Sequence, residues 1–340
     1  MQRSEITIDL GALRRNVHVL LDALRGSQLW AVVKANAYGH GASDIAGAAL
    51  GAGASALCVA TVQEALALRR DFRTARIIVM GPALNREVGQ ARDAHLELVV
   101  SSNDEIPSGV RVHVKLDTGM GRWGVSELTS PALEVVGLMS HLATADSDAA
   151  YAEWQIERFR AATAPYTHLE RHIANSAGAL RYPSAAFDAA RCGIALYGLS
   201  PFGSDPAEDG LRPVLGWNSY VAQSKLLRAG QSTGYGRRFV AERDTWIGIV
   251  PVGYADGFRR DLTGTSVRVG GEPRRVVGAV SMDAFAVELD RDVMPGTPVV
   301  LIGQGVLAEE HARIAGTITY ELVCGIESSP SRARRMVVDG

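Results

Sequence analysis

The sequence predicts an α/β fold, with an N-terminal (β/α)8 TIM-like barrel followed by a mostly β C-terminal domain. Two observations carry this. Over the first two hundred or so residues, short β-rich apolar runs alternate with Ala- and Leu-rich helical stretches, roughly eight times over. Near Pro213 the texture changes, and the runs become β-branched and turn-rich. A doubly wound open sheet gives the same alternation, so periodicity alone leaves barrel and open sheet both standing.

In chain order, residues 30–33 (WAVV) read as a strand and 43–50 as a helix; 56–59 (ALCV) read as a strand and 63–69 as a helix. Residues 76–80 form the next strand and 85–93 the next helix. Strands follow at 96–100, 110–116 (VRVHVKL) and 135–140, then a long helix at 149–162. Short strands at 172–174 and 193–197 complete the set. The boundary falls in SPFGSDPAEDGLRP, which is polar and rich in Pro and Gly. It divides residues 1–212 from 213–340, with the first strand able to pack in the second domain. Beyond it come VAQSKLL, DTWIGIVPVG, TSVRVGG, EPRRVVGAV, AFAVELD and TPVVLIG, with helical patterning only at 308–315.

Composition narrows the function. Of the 340 residues, 47% are hydrophobic and 21% charged, which excludes a disordered chain. The net charge of −2 supplies no basic field for nucleic acid or an anionic membrane. Cys58, Cys192 and Cys324 lie far apart with no CxxC pair, so neither a disulfide framework nor a metal site is expected. With no signal-peptide pattern and no run of about 18 apolar residues, a cytoplasmic chain is expected.

Chemistry concentrates in VVKANAYGHGA, residues 32–42. Lys34 stands where a buried strand ends, the position that carries active sites in parallel barrels. Desolvation there lowers an amine's pKa and frees it to attack a carbonyl as a Schiff base. In KLDTGMGR, Lys115 and Asp117 end another strand, and Arg122 follows as a candidate bidentate carboxylate clamp. Ser176 opens a short helix whose free N–H groups and hydroxyl suit a phosphate or an ordinary N-cap. His141 follows a strand, and Arg191 precedes one. Tyr235 sits between two glycines in TGYGRR, where a turn role is the common one.

These strings resemble those of the alanine racemase family, a group of pyridoxal-phosphate (PLP) enzymes. VHVKLDTGMGRWG, HLATAD, ANSAG, RCGIALYG, GYGRRF, GYADG and VSMD follow in the family's order across most of the chain. The resemblance implies a PLP-binding barrel, a β domain and a homodimer with shared sites. It implies Lys34 as cofactor anchor and base, and Tyr235 of the partner subunit as the base for the opposite face. Tyr38, Ser176 and the backbone of Gly193 and Ile194 would hold the PLP phosphate. Arg191 would meet the pyridine nitrogen and His141 would neighbour the ring. Arg122 and the Met282 backbone would bind substrate, Lys115 would support Arg122 as a carbamate, and Tyr254 and Asp283 would line or support the entry. The activity implied is interconversion of L- and D-alanine for the bacterial cell wall. Alternatives are a broad-specificity amino-acid racemase of the same fold and a PLP-binding protein with little turnover.

The chain departs from the family's pattern in three places. SSPSRARRMVV at the end puts Val337 near the position of a phosphate-contacting Tyr. The stretch between Gly124 and Glu134 is short, so a barrel helix there is expected to be truncated or absent. Ser281 and Ala279 stand where Cys and Arg are common.

Overall fold

The computed structural model describes residues 2–103, 106–129 and 132–340. Chain contacts divide these into two compact units. One comprises residues 13–202 and 207–212; the other comprises the first twelve residues, residues 203–206 and residues 213–340.

The first unit is a parallel eight-stranded sheet. Its strand order runs Glu170–His172, Val135–Met139, Arg111–Lys115, Glu97–Val100, Ile77–Val79, Ala56–Val59, Gln28–Val32, Ala189–Cys192. The two ends of this sheet nearly close on each other. The Asp188 N–H donates to Arg171 O across 2.9 Å and the Arg191 N–H to Ala174 O across 3.0 Å, so the sheet is a barrel and not an open one. Strands buried on both faces read as continuous apolar runs, as ALCV and IIV do. Helices Leu10–Leu24, Ala42–Gly51, Val62–Asp71, Asn85–Asp93 and Ala149–Thr163 connect or precede them. Thr61 and Glu64 form a reciprocal capping box that fixes where the third of these begins. Among the described residues between Lys115 and Val135 there is no helix; the chain passes between these strands as loop.

Two strand readings miss: the strand read at 172–174 lies at Glu170–His172, and the one read at 193–197 does not form. The strand stops at Cys192, Gly193 is irregular, and residues 194–198 are turn. The N–H groups of Gly193 and Ala195 leave the ladder and donate to Ser176 Oγ at 3.0 and 3.3 Å. Helix Thr319–Cys324, which follows Ala308–Ala315, carries too short a period to be read from sequence.

The second unit is built on a nine-stranded sheet. Its order runs Gln223–Leu227, Thr245–Val250, Phe285–Leu289, Glu272–Val277, Ser266–Val269, Pro298–Ile302, Leu215–Tyr220, Glu5–Asp9, Arg334–Val338. The N-terminal strand pairs antiparallel with Leu215–Tyr220 and parallel with Arg334–Val338, with Ile8 opposite Val337. Phe258 stacks on Phe285 with ring centroids 4.2 Å apart, and Trp217 donates to Ser4 Oγ at 2.8 Å. No helix among the described residues is long and apolar enough to cross a membrane.

Candidate active site

The strand carrying Lys34 ends in an uncommon backbone. Ala35, Asn36, Ala37 and Tyr38 all have φ between 52 and 54°. Four consecutive non-glycine residues therefore trace a left-handed turn, at about 1–2 kcal/mol of steric cost each. Several contacts hold it. Ala37 N–H bonds Val33 O at 2.9 Å, Glu64 accepts from Ala35 N–H at 2.7 Å, and Asn36 Oδ1 accepts from Ala42 N–H at 2.9 Å. Gly39 and Gly41, with φ of 82 and 100°, release the chain into the next helix. The turn leaves Lys34 half-buried at the strand end and buries the Tyr38 ring 5.0 Å from that of Tyr197. Tyr197 is pinned by its hydroxyl to Val32 O at 2.7 Å and stacked on by His40.

Beside Tyr38 lies a cradle. A methyl group on Gly193 would come within 2.5 Å of Tyr38 Oη, so any larger residue there would have to push the Tyr38 ring aside. The N-cap of helix Ser176–Arg181 is Asn175, whose Oδ1 accepts from Gly178 N–H at 2.9 Å. Ser176 is thereby released from capping, and its hydroxyl collects the Gly193 and Ala195 N–H groups. Among the described residues, no protein acceptor faces the Ile194 N–H between them. A buried orphan donor of this kind calls for a partner.

Arg191 is buried in the barrel interior. Its Nη1 donates to His172 Nδ1 at 2.6 Å and His172 O at 3.0 Å. Its Nη2 donates to Ser140 O at 2.7 Å and His141 Nδ1 at 3.2 Å. Among the described residues its bonds run through Nη1 and Nη2, which leaves the Nε–H to serve another acceptor. Burial brings its pKa down to about 10, so it stays cationic near neutrality. Burial, then the Arg191 charge, pushes His141 and His172 well below the ordinary imidazole range.

The loop after Arg111–Lys115 is organised by Asp117. One carboxylate oxygen accepts from the N–H groups of Gly119, Met120 and Gly121 at 2.9, 2.9 and 3.1 Å. Tyr151 braces the loop by donating to Gly119 O at 2.9 Å. Lys115 is buried, and burial followed by the charges of Arg122 and Arg191 lowers its pKa to about 8. Arg122 is exposed. Trp123 stands between the two cations, with Lys115 Nζ at 5.3 Å and Arg122 Cζ at 5.2 Å from its ring centroid.

Comparison with known proteins decides the family. The domain description "Alanine racemase, N-terminal domain" matches residues 8–201, and "Alanine racemase, C-terminal domain" matches residues 214–335. Alanine racemase 1 of Bacillus subtilis is 41% identical over 354 aligned residues, covering 96% of this chain and 91% of that protein. The alanine racemase of Mycobacterium bovis is 38% identical, covering 98% and 96%. A solved alanine racemase from Streptomyces lavendulae superposes with a TM-score of 0.91 at 35% identity, covering 100% and 98%.

The chain belongs to the alanine racemase family.

It is accordingly an enzyme, a racemase, of a family that depends on PLP. The barrel unit gathers Lys34, Tyr38, Lys115, Arg122, His141, Ser176, Arg191, Gly193 and Ile194. Tyr235, Tyr254, Met282 and Asp283 belong to the β unit. There Tyr235 is 75% exposed on a short turn flanked by Gly234 and Gly236 at positive φ. Tyr254 and Met282 are also exposed, and their loops are joined by the Ala255 N–H to Met282 O bond of 3.0 Å. Asp283 accepts from Arg332 Nη2 at 2.8 Å, while buried Asp256 binds Arg332 Nε at 2.9 Å and also Arg3. Sequence reasoning missed His113, His172, Glu97 and Trp123. The alternation in RVHVK, which puts His113 on the face opposite its valine neighbours, was the available signal for the first.

Proposed function

We propose that this racemase interconverts L- and D-alanine with PLP held in the barrel, and that a partner copy completes each site with Tyr235. The observation that carries the reading is the placement of Lys34. The sequence contains three lysines, Lys34, Lys115 and Lys225. Two of them stand at the C-terminal ends of parallel barrel strands; Lys34 opens the strained turn, and its strand Gln28–Val32 pairs with Ala189–Cys192, which leads into Gly193.

The residues present suit the cofactor. Lys34 supplies the amine that anchors it. Tyr38, Ser176, the Gly193–Ile194 backbone and above all the Ile194 N–H suit its phosphate, and the Arg191 Nε–H suits the ring nitrogen. When bound, PLP withdraws electrons from the substrate α-carbon and so acidifies its proton. Arg191 donates a hydrogen bond there without giving up a proton, which restrains that withdrawal and with it side reactions such as transamination. Arg122 orients the substrate carboxylate, and the Met282 backbone contacts the substrate. Tyr254 lines the entry, and Asp283 holds Arg332 beside it. Neutral Lys115 amine and CO2 can combine into a carbamate with release of a proton, which would pair with Arg122.

Racemisation needs a base on each face of the α-carbon. Tyr235 takes the α-proton of L-alanine at its phenolic oxygen, and Lys34 Nζ returns one to the other face. The D-to-L direction exchanges these roles. His141, neutral beside Arg191, supports the ring environment. The proposed setting is a cytoplasmic homodimer supplying D-alanine for peptidoglycan.

Borohydride reduction of the PLP-loaded protein followed by peptide mapping tests the anchor. Label on the peptide holding Lys34 is expected; label on Lys115 or Lys225 overturns it. Tyr235→Phe should suppress L-to-D turnover while leaving the Lys34 label intact.

A further inference from the structure

Arg191 is a buried cation with no carboxylate against it among the described residues. Its Nη1 instead begins a chain of hydrogen bonds across the barrel interior. His172 Nε2 lies 2.9 Å from His113 Nδ1, and His113 Nε2 lies 2.8 Å from Glu97 Oε2. His113 and His172 are both fully buried.

The direction of every proton in this chain follows from one end. Guanidinium nitrogen is a donor only, so His172 Nδ1 at 2.6 Å must accept. His172 then carries its proton on Nε2 and donates to His113 Nδ1. His113 in turn carries its proton on Nε2 and donates to Glu97. Both imidazoles are neutral and share one tautomer, and each bond polarises the next toward the carboxylate. Glu97 is anchored at the far end by two arginines: Arg76 Nη2 donates to Oε2 at 2.7 Å, with the same guanidinium also binding Glu170, and exposed Arg111 Nε lies 3.1 Å from Oε1. Burial alone would raise the Glu97 pKa; the His113 and Arg76 hydrogen bonds and the Arg76 charge outweigh it and hold it below the usual carboxylate range.

The fold makes room for this chain. Gly137 is the ladder partner of His113, and any Cβ on it would collide with His113 Nδ1. Trp30 covers the relay, with its ring 4.5 Å from His172 and 5.8 Å from His113. The other groups that face Arg191 are His141, Lys115, Cys58 and Cys192, and none of them is a carboxylate.

We propose that Glu97 is the remote counter-ion of Arg191 and that His113 and His172 are positioning residues that connect them, holding the guanidinium oriented and charged toward the cofactor site. The proposal rests on the PLP reading above for its functional consequence, but its tautomer pattern does not.

The test has two parts. Long-range 1H–15N spectra of the histidine side chains, recorded on protein without PLP, should show His113 and His172 as neutral Nε2–H tautomers from pH 6 to 8. A charged ring or an Nδ1–H tautomer at either overturns the relay, whatever the cofactor does. In the PLP-loaded enzyme, His113→Phe breaks the chain, and Gly137→Ala displaces the His113 ring without removing any polar group. Each should give the bound chromophore a pH-dependent absorption between pH 6 and 9 that the parent lacks. Each should also lower kcat at least tenfold, with KM for alanine within about twofold. His113→Gln, which can accept and donate across the same gap, should restore part of both. Parent-like spectra and kcat per bound cofactor, with only a lower Tm, would show that the chain is merely structural. A parent protein that takes up no chromophore counts against the PLP reading and leaves the histidine spectra to judge the relay.

Discussion

Arg191 reaches His172 across the seam where the two ends of the barrel sheet meet, with Nη1 2.6 Å from the imidazole Nδ1. Their strands share no ladder, so the bond joins by side chains what the backbone leaves nearly closed. With the bonds of Nη2 to Ser140 O and His141 Nδ1, it commits both terminal nitrogens of the guanidinium to the protein. Four consequences of this geometry and its surroundings can be measured.

His172 should make stability depend on pH in a defined window. Burial and then the Arg191 charge hold it neutral well below its ordinary 6.5. Below about 6.5 the unfolded chain takes up a proton that the folded chain refuses. The stability it contributes is therefore complete above that pH and declines below it, at about 1.4 kcal/mol per pH unit. His172→Gln should flatten the slope of unfolding free energy against pH between 6 and 5 by about that amount in urea titrations.

The left-handed turn reverses the usual effect of glycine. In a right-handed helix, Ala→Gly costs about 1 kcal/mol. Ala35 is exposed with φ of 52°, so Ala35→Gly relieves strain of about 1–2 kcal/mol and loses less than that to chain entropy. A gain of about 0.5–1 kcal/mol in unfolding free energy is expected, and a loss would show that the turn is unstrained.

Gly193→Ala should do the opposite. The added methyl meets Tyr38 Oη at 2.5 Å, and overpacking of this kind costs about 1–3 kcal/mol. Because the same cradle is the proposed phosphate site, PLP affinity measured by fluorescence quenching should fall at least tenfold.

Trp123 should tune substrate binding. A partly exposed cation–π contact is worth about 0.5–1 kcal/mol, so Trp123→Leu should raise KM for alanine about two- to fivefold with kcat nearly unchanged. Trp123→Phe keeps a ring for Arg122 and should recover most of the difference.

The architecture was legible because buried parallel strands and amphipathic helices write their periods into the chain. Residues 56–59 and 85–93 show this, each predicted to the residue. The barrel, as opposed to an open sheet, was not in the periodicity, since closure depends on bonds such as Arg191 N–H to Ala174 O between distant segments. That no helix stands before Val135 among the described residues was visible as a shortage of residues. The left-handed turn was hidden: Ala-Asn-Ala-Tyr has no composition that demands positive φ, and it is sustained by bonds to Glu64, to Val33 O and between Asn36 and Ala42. The strings around Lys34 and Arg191 could be read as chemistry, but the histidine relay could not. It joins four strands, and its members look like isolated polar residues.

The central claim is that the site around Lys34 racemises alanine with PLP. Chiral analysis of alanine after incubating single L-amino acids with the purified, PLP-loaded protein tests it most directly, with Lys34→Ala alongside. The account expects D-alanine to accumulate toward an equal mixture with the parent, little or no conversion of other amino acids, and none with Lys34→Ala. Unchanged L-alanine in the presence of bound PLP, or equal turnover by Lys34→Ala, would contradict it.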